Sequence, residues 1–120
     1  MDQNSKINEI EQKIIGFYEL IKDKYQVKKV FLYGSWAKNT MRKDSDIDVA
    51  VVIDYPAGKN RVKITADLFH YASMIDTAIE PKAISWEEYQ NPSPVSILAE
   101  MIKTGIEIKK ITKKNISYQK

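Results

Sequence analysis

The sequence predicts a domain built from both helices and strands, and three observations predict it. Ile7, Ile10, Ile14, Phe17 and Ile21 recur at alternating spacings of three and four, which marks one apolar stripe on a helix over about 5–24. Val27–Tyr33 and Ile47–Ile53 are short, apolar and rich in β-branched residues, as buried strands are. A second helical stripe, Ile64, Leu68, Tyr71 and Ile75, follows over 61–75.

Taken in order, the first helix carries Ile15 and Leu20 beside its stripe and Glu9, Gln12, Lys13, Glu19 and Lys22 on the other face. The strand Val27–Tyr33 is ended by Gly34, which turns without a Cβ clash and admits close approach of another group. Ser35 can cap the short helix or turn expected over 35–41, and free N–H groups there suit a phosphate. In Ile47–Ile53, Ile47, Val49, Val51 and Ile53 face one side, while Ala50 and Val52 follow two aspartates on the other. A strand apolar on both faces belongs in the middle of its sheet. After a turn-rich loop at 54–58 and the second helix comes a strand over 77–84, where Pro81 argues for an edge. Ser85 to Glu88 has the capping-box pattern of a short helix. Asn91-Pro-Ser-Pro breaks it, and Ser93 and Pro94 suit the start of a last helix with Val95, Leu98, Met101 and Ile102 inward. That helix stops at Gly105, and 106–111 predict a final short strand.

Composition bounds the rest. The length suits a single domain over 1–120, with 112–120 a basic, solvated tail. A formal charge of +3, spread along the chain, argues against a dedicated nucleic-acid binder. There are no cysteines, which removes thiolate chemistry and fits a cytoplasmic, reducing setting. No apolar run is long enough to span a membrane, and the first residues are not those of a signal peptide.

The residues that carry chemistry lie between 30 and 53. Asp46 and Asp48 are two apart at the head of a strand, so they share a face. Two carboxylates that close repel unless a cation separates them, and a hard divalent ion with oxygen ligands fits. Gly34-Ser35, ten residues, then Asp46-x-Asp48 resembles the signature of the polymerase-beta-type nucleotidyltransferase superfamily. The match is closest to its smallest branch, the minimal nucleotidyltransferases. The chain departs from that pattern with Trp36, where the family often has Arg, and Asn39, where it often has Gly; Lys38, Arg42 and Lys43 offer the phosphate charge instead.

The resemblance implies an α+β fold: a small mixed, twisted β-sheet with helices packed on one face. It also implies nucleotidyl transfer, with Gly34, Ser35, Lys38 and Arg42 holding a nucleoside triphosphate such as ATP. Two Mg2+ ions would be held by Asp46, Asp48 and a third carboxylate from the strand after the second long helix. Asp76 and Glu80 are both available there. Glu80 is preferred, because an acid inside a strand is costly without a partner and because Ile-Glu-Pro is similar to the family's pattern. Either Glu80 or Asp48 can take the acceptor's proton. Chains of this branch typically stand beside a HEPN-type protein partner and act as its antitoxin by adding AMP to a tyrosine. An aminoglycoside-type transfer to a small molecule, or a non-catalytic partner-binding subunit, are the alternatives.

Overall fold

The computed structural model describes residues 3–38, 40–42, 44–56 and 60–111. The expected tail at 112–120, and Asn39 and Lys43, lie outside the described residues. The elements run α1 (Gln3–Ile21), β1 (Val27–Tyr33), α2 (Ser35–Lys38), β2 (Ile47–Ile53), α3 (Arg61–Ser73), β3 (Ile79–Ser85), α4 (Trp86–Gln90), α5 (Ile97–Thr104) and β4 (Ile106–Glu107). The strands form one mixed sheet in the order β3-β2-β1-β4. β2 is antiparallel to β1 and parallel to β3, so its central position follows from apolar side chains on both faces.

Each face has its own core. Ile10, Ile14, Phe17 and Ile21 of α1, and Leu68 and Ala72 of α3, pack with Val30, Leu32, Ile47, Val49, Val51 and Ile53. Burying side chains such as Ile14, Phe17 and Ile21 contributes about 1.5–3 kcal/mol each before ordering costs. The two long helices thus share one face, as the resemblance implies. The opposite face carries a smaller cluster of Phe31, Ala50, Val52, Ile84 and Met101, covered in part by Trp86 and Tyr89 of α4 and Leu98 of α5. A register shift between Val27 and Lys29 puts an extra residue into β1. Beside it Lys28 lies over the Trp86 ring and Lys29 over the Tyr89 ring, which ties α4 to the sheet.

Several boundaries differ from the sequence expectation. Of the short helix or turn expected over 35–41, the structure shows a single turn over Ser35–Lys38, and its cap is Gly34 rather than Ser35: the Gly34 carbonyl accepts from the Lys38 N–H at 3.0 Å. The last helix starts at Ile97, capped by Ser96, whose hydroxyl accepts from the Ala99 N–H at 3.1 Å. Starting later leaves Val95 in a turn, 94% exposed instead of inward. The strand expected over 106–111 is only Ile106–Glu107, because Ile108 and Ile111 turn into the larger core. α4 is as the capping-box pattern foretells, with the Glu88 N–H donating to the Ser85 hydroxyl at 3.1 Å and Ser85 N–H to Glu88 Oε1 at 3.3 Å.

Candidate active site

Gly34 closes β1 with φ 73°, a left-handed conformation that a residue with a Cβ adopts only at a cost. A Cβ built there would lie 2.2 Å from Asp48 Oδ2. The glycine is therefore needed for a closer reason than phosphate access: the Asp48 carboxylate occupies the space its side chain would fill.

Strand pairing brings the acids to that turn. Tyr33 is the register partner of Asp48 on β1, and Glu80 is the register partner of Asp48 on β3. Tyr33, Asp48 and Glu80 thus form a row across three neighbouring strands, on the face of the smaller core. Asp46 is exposed, two residues before Asp48 in the approach to β2. Burial pushes the Asp48 carboxyl up, the Asp46 charge pushes it further, and Lys82 pulls it back. Glu80 is exposed on the edge strand, and slight desolvation with the charges of Asp46 and Asp48 raises its carboxyl. Burial and these same two acids, Asp48 and Glu80, raise the Tyr33 phenol. Protons therefore bind this cluster more tightly than they bind isolated carboxyls.

The donor set is oxygen only, gathered by β-pairing and short of cancelling charge, which fits a hard divalent cation. Asp46, Asp48 and Glu80 are the residues that would hold one. Among the described residues no three acidic, His or Cys side chains are already closed to ligating distance. The carboxylates would draw together around an ion that relieves their repulsion.

Asp76, the other acid considered for the third position, is engaged elsewhere. Its Oδ2 accepts from Lys13 Nζ at 2.6 Å and its Oδ1 from the Ala78 N–H at 2.8 Å. Those bonds hold its carboxyl below the usual range, with the Lys13 bond the larger cause. It pins the end of α3 to α1 and starts β3.

Ser35 is the first residue of α2, and Lys38 is its exposed last one. Arg42 is exposed in the following loop, where its backbone N–H donates to Ser45 Oγ at 2.6 Å. Trp36 packs against the larger core, and its indole Nε1 is a buried donor without a partner among the described residues.

A cavity of about 670 Å3 opens beside the row of acids, lined by Tyr33, Asp48, Glu80 and Lys82 from the sheet and by residues of α3. Two further cavities, of about 590 and 750 Å3, lie at the other end of the sheet around Lys24, Tyr25 and Tyr55, and none of the expected site residues lines them. At that end the Tyr25 hydroxyl donates to Asp67 Oδ2 at 2.5 Å, and burial with this bond pushes the Tyr25 phenol up to about 12. Tyr33 and Lys82 were not picked out by sequence reasoning. Register was the available signal: Tyr33 immediately precedes the Gly34 turn, and Lys82 is one strand period beyond Glu80.

Comparison with known proteins bears on the family and the fold. Residues 12–114 match the family described as Polymerase beta, Nucleotidyltransferase. Two similar proteins come from Methanocaldococcus jannaschii, each named "putative protein adenylyltransferase". One is 37% identical over 54 residues, covering 42% of this chain and 54% of that relative. The other is 31% identical over 88 residues, covering 68% of this chain and 88% of that relative. Among solved structures, a toxin-antitoxin with AMP-PNP superposes with a TM-score of 0.53 at 24% identity, over 91% of this chain and 86% of that one. A mutant of the MntA-HpeT toxin-antitoxin gives 0.52 at 21% identity, over 91% and 86%. At these identities the structural likeness speaks for the fold: the mixed four-stranded sheet with helices is that of nucleotidyltransferases.

Proposed function

The chain belongs to the polymerase beta nucleotidyltransferase family, and from that premise we propose that it transfers AMP from ATP to a hydroxyl of a protein partner. The observation that carries the reading is the row of Asp48 and Glu80, in register on adjacent strands, with the charge of Asp46 on both and the Gly34 turn against Asp48. Acids crowded together in this way, next to a tight turn, suit metal-assisted phosphate chemistry.

In this reading the triphosphate lies against the Gly34-Ser35 turn, with Lys38 and Arg42 adding positive charge. Asp46, Asp48 and Glu80 hold Mg2+, two ions in the full reaction. Bound magnesium supplies charge neutralisation at the α-phosphate and sharpens the acidity of the acceptor hydroxyl. The acceptor oxygen bonds to the α-phosphorus as the bond from that phosphorus to the bridging oxygen breaks. Pyrophosphate leaves with the electron pair, and the hydroxyl proton passes to Glu80 or Asp48. Both carboxylates stand in register on adjacent strands beside the proposed acceptor position, which suits either residue to that task.

The proposed acceptor is a HEPN-type helical protein, which this chain would restrain as an antitoxin in the cytoplasm. Two things support the choice: the fold is shared with toxin-antitoxin structures, one with AMP-PNP, and the similar archaeal proteins are named as protein adenylyltransferases. Among the described residues no helix is long and apolar enough to cross a membrane. The test is intact mass spectrometry of a HEPN-type protein, taken from beside this chain's gene if one is encoded there, after incubation with ATP, Mg2+ and this chain. The partner should gain one or more AMP units, and Asp48→Asn should abolish the gain. An unchanged partner, together with adenylylation of an aminoglycoside under the same conditions, would replace this reading with small-molecule transfer.

A further inference from the structure

We infer that the cleft between β3 and α3 is where the acceptor docks, and that Lys82 selects a hydroxyl flanked by carboxylates on an acidic protein segment. This rests on the nucleotidyl-transfer reading and adds the chemistry of the acceptor to it.

The layout of the sheet comes first. β2 carries Asp48 and has β1 on one side and β3 on the other. The Gly34 turn leads off β1, so a triphosphate held there approaches the acids from the β1 side. The cavity of about 670 Å3 opens on the other flank, between Glu80 and Lys82 of β3 and the first turns of α3. That volume lies within the range of about 300–1,000 Å3 found for small-ligand sites, enough for a side chain and its neighbours.

Charge comes second. Two cations line the cleft, Arg61 and Lys82. Arg61 is already engaged, pairing with Glu88 and donating from Nε to the Tyr55 hydroxyl at 3.2 Å. Lys82 is exposed and makes no ion pair among the described residues. It sits one strand period from Glu80 on the same face, in register with Ala50. Its charge reaches Asp48, where it opposes the upward push of burial. With cations on the acids, Lys82 would face the cleft without a counter-charge among the described residues. Screening confines its reach to about 8 Å at physiological salt, so what it attracts must lie in the cleft itself.

The walls come third. Val62 and Phe69 of α3 line the cleft while 84% and 44% exposed. They offer apolar contact to residues beside the acceptor hydroxyl. β3 is the outer strand, and Pro81 removes an N–H from it. Docking by extension of the sheet is thereby weakened, and side-chain contacts to Lys82, Val62 and Phe69 carry recognition.

The test uses the whole chain with Mg2+ and AMP-PNP and reads fluorescence anisotropy of labelled tyrosine pentapeptides flanked by glutamates, by lysines or by alanines. The glutamate peptide should bind at least about tenfold more tightly than the lysine peptide. Lys82→Glu should erase or reverse that preference, Lys82→Gln should erase it, and Phe69→Asp should weaken the glutamate and alanine peptides alike. AMP-PNP affinity should shift less than about twofold in the Lys82 variants. Equal binding of the three peptides, or no binding of any, overturns the inference. So does a Lys82→Glu protein that loses AMP-PNP affinity while keeping peptide preference, for Lys82 would then be a triphosphate ligand. Mass spectrometry with ATP separates the two readings. Equal AMP transfer to all three peptides keeps nucleotidyl transfer and removes the selectivity. Selective binding with no AMP on any peptide or partner keeps the acidic docking site and removes the transfer.

Discussion

Gly34→Ala isolates the contact that builds the site. The added methyl faces two separate costs. A non-glycine residue at φ 73° costs about 1–2 kcal/mol relative to ordinary backbone. The Cβ would also lie 2.2 Å from Asp48 Oδ2 and 3.1 Å from its Cγ, so the carboxylate must swing away. That neighbour is the end of a side chain, not backbone, so the displacement adds about 1 kcal/mol and leaves the fold intact. The total, about 2–3 kcal/mol, corresponds to a midpoint drop of roughly 6–15 °C in a thermal melt. A double-mutant cycle separates the two parts. In an Asp48→Ala background only the Asp48 Cβ remains, at 3.3 Å from the new methyl. Gly34→Ala should then cost only the backbone part, giving a coupling of about 1 kcal/mol. Equal costs in both backgrounds would refute the claim that Asp48 fills the space a side chain would need. Isothermal titration with Mn2+ should show the metal site lost in Gly34→Ala although every carboxylate is present.

Other outcomes follow from the same electrostatics. The raised carboxyls of Asp48 and Glu80 bind protons more tightly in the folded chain, so in metal-free buffer their effect favours folding below the ordinary carboxyl range and weakens as pH rises through the raised values. Asp48→Asn should therefore flatten that decline and match or exceed the parent's melting midpoint at pH 7; a fall of several degrees would make Asp48 structural. Asp76 behaves oppositely, because its carboxyl is lowered: its contribution is complete above the ordinary carboxyl range and is lost as pH falls through the depressed value. Asp76→Asn should cost about 0.5–1 kcal/mol by denaturant titration and leave Mn2+ binding unchanged, given its part-exposed ion pair with Lys13. Glu80→Gln should do the reverse, weakening Mn2+ binding while the denaturation midpoint holds; swapped results would move the third carboxylate to Asp76.

Sequence pattern revealed the elements best where burial imposes a period. The four residues of α1 and the double-sided β2 each answer to a core, and the registers of β1, β2 and β3 then follow from which side chains must be inside. Local hydrogen-bonding choices were harder to read. Ser93 and Ser96 both suit a helix start, and only the structure shows that Ser96 caps Ala99 and leaves Val95 in water. Gly34 and Ser35 likewise compete for the cap of α2, and the left-handed glycine holds it. Glu80 was implied by the family resemblance and by the cost of an unpartnered acid in a strand, and the structure pairs it with Asp48, whereas Lys82 did not stand out, because a lysine on an edge strand is ordinarily just a solvated guard against aggregation. What distinguishes it is the cavity it shares with the acids, which no one-dimensional pattern encodes.

The most direct test of nucleotidyl transfer uses ATP labelled in parallel at the α- and the γ-phosphorus. With Mg2+ and the helical partner, the α-label should become covalently attached to the partner, the γ-label should appear only in released pyrophosphate, and both signals should vanish in Asp48→Asn. Attachment of the γ-label would show phosphoryl rather than nucleotidyl transfer. Retention of all label in ATP, with a correctly folded chain and partner, would show that these acids do not perform the transfer.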